Sequence, residues 1–292
     1  MKAIDPDDFR ILKSVKLLKL PTLLITDAED SEKEAELAQL RNKLSELQDV
    51  MYAHNRYSVL VCLQGMDTSG KDSLIREVFK EINARGVEVS SFKQPTSNEL
   101  EHDYLWRHYV ALPEKGKIGV FNRTHYENVL VSRVHPENIL NERLPGIEKV
   151  EDIQPDFWKK RFKQINNFEK HLVQNGTIIL KFYLHLSKDE QKNRLLRRLE
   201  EEKHNWKFSP ADLKEREYWD QYMAYFEDII NNTSGKKTPW FVIPADDKDM
   251  ARYIVAKIIW EELSKYKDIK IPELDDEVKE KVGLYIKNLK EE

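Results

Sequence analysis

The stretch that most constrains this chain is SVLVCL (58–63), followed at once by QGMDTSGKDS (64–73). A short, almost wholly apolar run bounded by a glycine turn is the pattern of a strand buried on both faces, as in parallel sheets covered by helices. Gly65, four residues and then Gly70-Lys71 make the G-x-x-x-x-G-K pattern, and the amphipathic KDSLIREVFKEIN comes next. In that order, turn amides and a helix N-terminus converge on an anion, and the lysine adds a point charge. The loop therefore reads as a phosphate cradle. Gly65, Met66, Thr68, Ser69 and Gly70 are its candidate phosphate-binding residues, with Asp72 and Ser73 at the helix start. A strand–turn–helix with a capping Asp is the plainer alternative.

Two acids make this loop unusual. Asp72 stands where Ser or Thr would normally offer a hydroxyl to Mg²⁺, and Ser73 comes one residue too late. Asp67 lies inside the loop, where a carboxylate repels phosphate unless a cation sits between them, so it predicts Mg²⁺ ligation. An Asx-type turn is the competing role for Asp67.

Strand and helix patterns alternate on either side. Glu29–Tyr52 carries Leu37, Leu40, Leu44, Leu47 and Met51 at spacings of three and four, a solvated helix with one apolar stripe. Strands are expected at Ser58–Leu63, Val87–Phe92, Lys117–Phe121, Thr177–Leu186 and Trp240–Ile243. Helices are expected at Lys71–Asn83, Glu99–Tyr109, Lys188–Glu202, Pro210–Asn231 and Lys248–Leu263. The fold class is α/β: a P-loop kinase-like parallel sheet with helices on both faces. Its parts are an N-terminal arm and helix (1–55), a central domain (56–265) and a charged helical tail (266–292). Tyr126–Asp156, between a strand and a long helix, is the candidate helical lid.

Composition narrows the function. The 292 residues are 34% charged and 40% hydrophobic with a net charge of −4, which argues against a dedicated nucleic-acid binder. No apolar run approaches the roughly 20 residues that span a bilayer. The beginning MKAIDPDDFR is too acidic for a signal peptide, and the one cysteine, Cys62, falls inside an expected core strand. A cytoplasmic protein without nucleic-acid or membrane partners is expected.

A second group of residues follows the strand KIGVF. Asn122 occupies the strand-end place where kinases of this type carry an acid, and Arg123 beside it is set to bind phosphoryl oxygens bidentately. A surface salt bridge is the other reading of Arg123. Glu127 either supplies the missing acid or sits on a solvated face. Arg194 and Arg198, four apart on one helix with Arg197 between them, form a candidate second anion clamp, with Lys203 and Lys207 extending the positive ground. A solvated basic helix would look the same. The histidines lack zinc-ligand spacing.

With these pieces assembled, the chain resembles the polyphosphate kinase 2 family, and within it the subgroup called class III, from about Leu37 to Leu263. The blocks that carry the resemblance include LQGMDTSGKDS, SFKQPTSNELEHDYLWRHYVALPEKGKIGVFNRTHYENVLVSRVHPE, NGTIILKFYLHLSKDEQKNRLLRRLE, WKFSPADLKER and TPWFVIPADDK. The family's loop is typically G-M-D-x-x-G-K-D, so Asp67 and Asp72 match its hallmark. The resemblance implies Mg²⁺-dependent transfer of a terminal phosphoryl group between inorganic polyphosphate and AMP, ADP or ATP. It also implies a homodimer or homotetramer. Lys71, Asp67, Arg123 and Arg198 (or Arg194) would be catalytic. Phe92, Lys93, Pro95, Thr96 and Arg107, with Asn122, Glu127 and Arg133, would serve the nucleotide. Asn122 departs from the acid of the ADP-preferring subgroup and accompanies relatives that accept both AMP and ADP. The rivals are an ATP-dependent nucleoside monophosphate kinase, which would carry Ser or Thr after Lys71, and a non-catalytic P-loop module.

Overall fold

The computed structural model describes residues 4–292; Met1 to Ala3 of the arm lie outside the described residues. The strands are β1 (Arg10–Ile11), β2 (Ser58–Gly65), β3 (Val87–Ser91), β4 (Ile118–Asn122), β5 (Thr177–His185) and β6 (Trp240–Pro244). The helices are α1 (Asp30–His54), α2 (Lys71–Val78), α3 (Trp106–Val110), α4 (Val131–Val134), α5 (Phe157–Gln174), α6 (Lys188–Glu200), α7 (Glu202–Asn205), α8 (Pro210–Glu217), α9 (Trp219–Thr233), α10 (Lys248–Leu263) and α11 (Asp276–Glu291). The sheet order is β1-β6-β5-β2-β4-β3, with β2 to β6 parallel and β1 antiparallel on β6. From β2 the chain builds β3 and β4 on one side, then β5 and β6 on the other. The carboxyl end of β2 is thus the point where strand order reverses and where ligands collect in open α/β sheets.

Alternation along β2 divides the core. Val59, Val61 and Leu63 face the layer that contains α1, α2 and α10, whereas Leu60 and Cys62 face Phe121, Phe168 and Leu172. Burial between two layers explains why β2 is apolar throughout, and it pushes the Cys62 thiol well above its ordinary value. Helix α1 lays Leu37, Leu40, Leu44 and Met51 on the core, as its stripe predicts, and ends at Asn55 in the left-handed conformation.

Several boundaries differ from expectation. The arm includes the edge strand β1. Helix α2 stops at Val78, and Asn83 caps a 3-10 turn by accepting from the Arg85 amide. The segment 99–109 breaks at His102, where the backbone is extended, and the Asp103 carboxylate accepts from the Leu105 amide to start α3. Pro210–Asn231 is two helices, parted at Tyr218. That break lets α9 bury Trp219, Tyr222 and Phe226 while α8 turns Asp212 toward α6 and Glu215 toward the loop crevice.

Candidate active site

Gly65 ends β2 where only glycine fits: a Cβ there would meet Ser69 Oγ at 2.8 Å and the Leu184 carbonyl at 3.0 Å. The loop then turns through Thr68, a non-glycine residue at φ 66°, and Gly70 at φ 103°. Lys71 folds back over the turn, its Nζ 2.7 Å from the Gly65 carbonyl and 3.2 Å from that of Met66. Burial, aided by the Arg123 guanidinium, lowers the Lys71 ammonium to about 8. Ser73 donates its hydroxyl to the Gly70 carbonyl at 3.0 Å.

Helix α6 grips this loop from behind. Gln191 donates to the Asp67 carbonyl at 3.1 Å, and Arg194 Nη1 donates to the carbonyls of Thr68 (3.0 Å) and Ser69 (3.2 Å). Arg194 also binds Ala245 and Asp246 carbonyls and the Glu190 carboxylate. The two arginines expected to form an anion clamp both have partners within the protein. Arg194 is buried with its guanidinium occupied by protein groups, a brace for the loop, and Arg198 pairs with Asp212 at 3.0 Å. Neither lines the cavities described below. The acid on α8, invisible to a reading of α6 alone, lies close enough to Asp67 that burial first, and that carboxylate second, raise its own carboxyl.

At the end of β4, Asn122 donates from Nδ2 to Asp72 Oδ1 at 2.6 Å. Its Oδ1 is buried without a hydrogen-bond partner. Asn122, expected to serve the nucleotide, therefore faces the loop and lines neither of the two cavities. Arg123 holds φ 60° and reaches across to Asp67, Nη2 to Oδ1 2.6 Å, with Nη1 3.7 Å from Glu127. Glu127, followed by Asp67, keeps the Arg123 guanidinium charged against its burial.

Two cavities meet at Arg123 and Glu127. One, of 510 Å³, runs between the Phe92–Arg107 segment and residues 123–142; Phe92, Lys93, Pro95 and Arg107 line it, with Asn138 and Glu142 opposite. The other is a crevice of 30 Å³ bounded by Gly65, Asp67, Glu215 and Tyr222. Thr96 and Arg133, expected at the nucleotide side, line neither. Thr96 and Glu99 exchange hydrogen bonds that start a 3-10 turn. Arg133 pairs with Asp228 at 2.6 Å and covers the Tyr225 ring at 4.2 Å, which ties α4 to α9. Nothing in the sequence marks Tyr222 and Glu215 for this site, because the break at Tyr218 that brings them to the loop carries no Gly or Pro.

The crossover topology, the glycine loop at the strand reversal and the arginine at the neighbouring strand end define a P-loop kinase-like phosphotransferase. The family model for polyphosphate kinase 2 matches residues 27–143 and 141–271. The chain belongs to the polyphosphate kinase 2 family. It is 48% identical over 256 residues to an ADP-polyphosphate phosphotransferase of Rhodopseudomonas palustris, covering 87% of this chain and 88% of that protein. An AMP/ADP-polyphosphate phosphotransferase of Meiothermus ruber is 41% identical over 90% of this chain and 88% of its own. The crystal structure of polyphosphate kinase 2 from Arthrobacter aurescens superposes with a TM-score of 0.87 at 32% identity, covering 98% of both chains.

Proposed function

We propose that the chain transfers the terminal phosphoryl group of inorganic polyphosphate to AMP and ADP, giving ADP and ATP, and that the reaction is reversible. The observation that carries this is the position of Arg123. It borders both the large cavity and the crevice against Gly65 and Asp67, so a nucleotide in the first would present its phosphate to a donor held on the loop. The 510 Å³ cavity falls in the size range of small-molecule sites. The names of the relatives support the donor and both acceptors.

Transfer here is positioning plus charge neutralisation. Loop amides and Lys71 hold the donor's terminal phosphates, and Arg123 meets the charge that builds on the phosphoryl group in flight. The nucleotide phosphate is already an anionic nucleophile, so no general base is required. On the acceptor side, Phe92, Lys93, Pro95 and Arg107 form the wall of the base and ribose site.

The oxygens near the loop fit a hard divalent cation, which we take to be Mg²⁺. They are the Asp67 and Asp72 carboxylates and the unpartnered Asn122 Oδ1. Among the described residues no cluster of three or more His, Cys, Asp or Glu could hold a metal ion. Asp67 would hold the cation with water and phosphate completing its shell, and when bound it neutralises phosphate charge. Among the described residues no helix is long and apolar enough to cross a membrane. Exposed Leu284, Ile286 and Leu289 on α11 would suit an assembly of two or four copies, which light scattering reads out.

Acceptor use is tested by incubating the protein with polyphosphate and Mg²⁺ and either AMP or ADP, and separating the products by chromatography. Product in both lanes is expected. An inert AMP lane would remove the dual-acceptor reading of Asn122.

A further inference from the structure

Beneath the Arg123 turn lies a closed group of polar side chains that touches neither cavity. Lys181 on β5 and Glu169 on α5 are 0% and 1% exposed, with Nζ 2.7 Å from Oε2. Lys181 also donates to the Thr233 carbonyl at 2.8 Å and to the Tyr126 hydroxyl at 3.0 Å. The Tyr126 hydroxyl in turn donates a hydrogen bond to Glu169 Oε1 at 2.6 Å, and His125 Nε2 approaches the same oxygen at 3.2 Å. Replacing a buried ion pair with apolar groups of the same volume is often neutral or stabilising, so fold stability alone is a weak reason for it.

Its place in the chain gives a better one. Arg123 is a non-glycine residue in the left-handed region, a conformation that persists only where the flanking structure fixes it. On the N-terminal side that anchor is β4 and the bond from the Arg123 amide to the Leu63 carbonyl, 3.2 Å. On the C-terminal side, Thr124 Oγ1 receives hydrogen bonds from Gln64 Nε2 and the Tyr126 amide. The next two side chains, His125 and Tyr126, end on Glu169.

We propose that Glu169 and Lys181 are positioning residues for Arg123. The pair pins residues 124–126 so that the strained turn aims the guanidinium at the junction between loop and nucleotide cavity. This rests on the reading of Arg123 as the group that meets the transferred phosphoryl. The pair touches no substrate and acts only through the turn.

The test is a double-mutant cycle on the full chain, with nucleotide formation from polyphosphate as the readout. Glu169→Gln keeps the shape and loses the charge. It should lower kcat about tenfold with KM for donor and acceptor within about twofold, as a small misplacement of a transition-state group does. In an Arg123→Ala background the same substitution should change kcat by less than about twofold, because the group it aims is gone. Tyr126→Phe removes one bridging hydroxyl and runs through the same cycle; it decides the matter if Glu169→Gln does not fold. Equal loss in both backgrounds, or unchanged kcat in a folded variant, overturns the proposal. Full turnover in Arg123→Ala alone would instead overturn the site reading beneath it.

Discussion

The guanidinium of Arg123 and the carboxylate of Asp67 stand 2.6 Å apart, one on the turn after β4 and the other inside the glycine loop after β2. The contact links the two strand ends that flank the site, so each residue sets the position and charge of the other.

Arg123→Lys should therefore be no mild change. A lysine keeps the charge and loses the planar fork that can hold Asp67 and a phosphoryl oxygen together. Turnover should fall by about 10², with the melting temperature nearly unchanged. Asp67→Asn should lose at least as much, and steady-state kinetics on both variants check the pair.

Lys71 predicts a pH signature. Its ammonium is lowered to about 8 by burial first and Arg123 second, against an ordinary value of 10.5. As pH rises through 8 the free enzyme loses the positive charge proposed to hold donor phosphate, so kcat/KM for polyphosphate should fall on that limb. Bound polyanion favours the charged form, so the corresponding fall in kcat should lie at higher pH. Stability moves the opposite way. Between about 8 and 10.5 the unfolded chain keeps a proton that the folded loop has released, so this group's contribution rises with pH. Comparing the pH dependence of wild type and Lys71→Met, by kinetics and by denaturant melts, separates the two.

Arg194→Ala should be mainly a stability defect. It leaves carbonyls of the loop and of Ala245 and Asp246 without their donor in a buried position. A cost of about 3 kcal/mol is expected in urea unfolding, with activity falling as the loop loosens. Arg198→Ala, at a partly buried pair with Asp212, should cost less than Arg194→Ala, on the order of 1 kcal/mol.

Asn122→Asp would set a second carboxylate 2.6 Å from that of Asp72. Like charges so close destabilise the loop unless a proton or a cation intervenes. The variant's Tm should drop in EDTA and recover with Mg²⁺ by more than the wild type gains. An equal Mg²⁺ shift in both proteins would argue against a cation at this place.

Much of this was legible in the sequence because the decisive residues act near one another along the chain. Strand β2, its glycine loop and the start of α2 are one continuous stretch, and Arg123 follows a strand whose apolar run announces it. The fold class and the family resemblance followed from such blocks. Roles that depend on distant partners were not legible. Arg194 and Arg198 look alike on α6, and only Thr68, Ser69 and Ala245 on one side, and Asp212 on the other, give them different work. Arg133 is expected on the nucleotide side, and only Asp228 and Tyr225, far along the chain, give it another place. Nothing local in the sequence sets Glu169 and Lys181 apart, and it is the α5–β5 packing that buries them together.

The donor is the centre of the account, and one exchange of donors tests it most directly. The protein is incubated with Mg²⁺ and ADP or AMP, with either polyphosphate or ATP supplied, and the nucleotide products are followed by chromatography. Phosphorylated nucleotide should form with polyphosphate, and ATP should not replace it as donor to AMP. Transfer from ATP to AMP with no product from polyphosphate would contradict the account and make the site that of an ordinary nucleotide kinase.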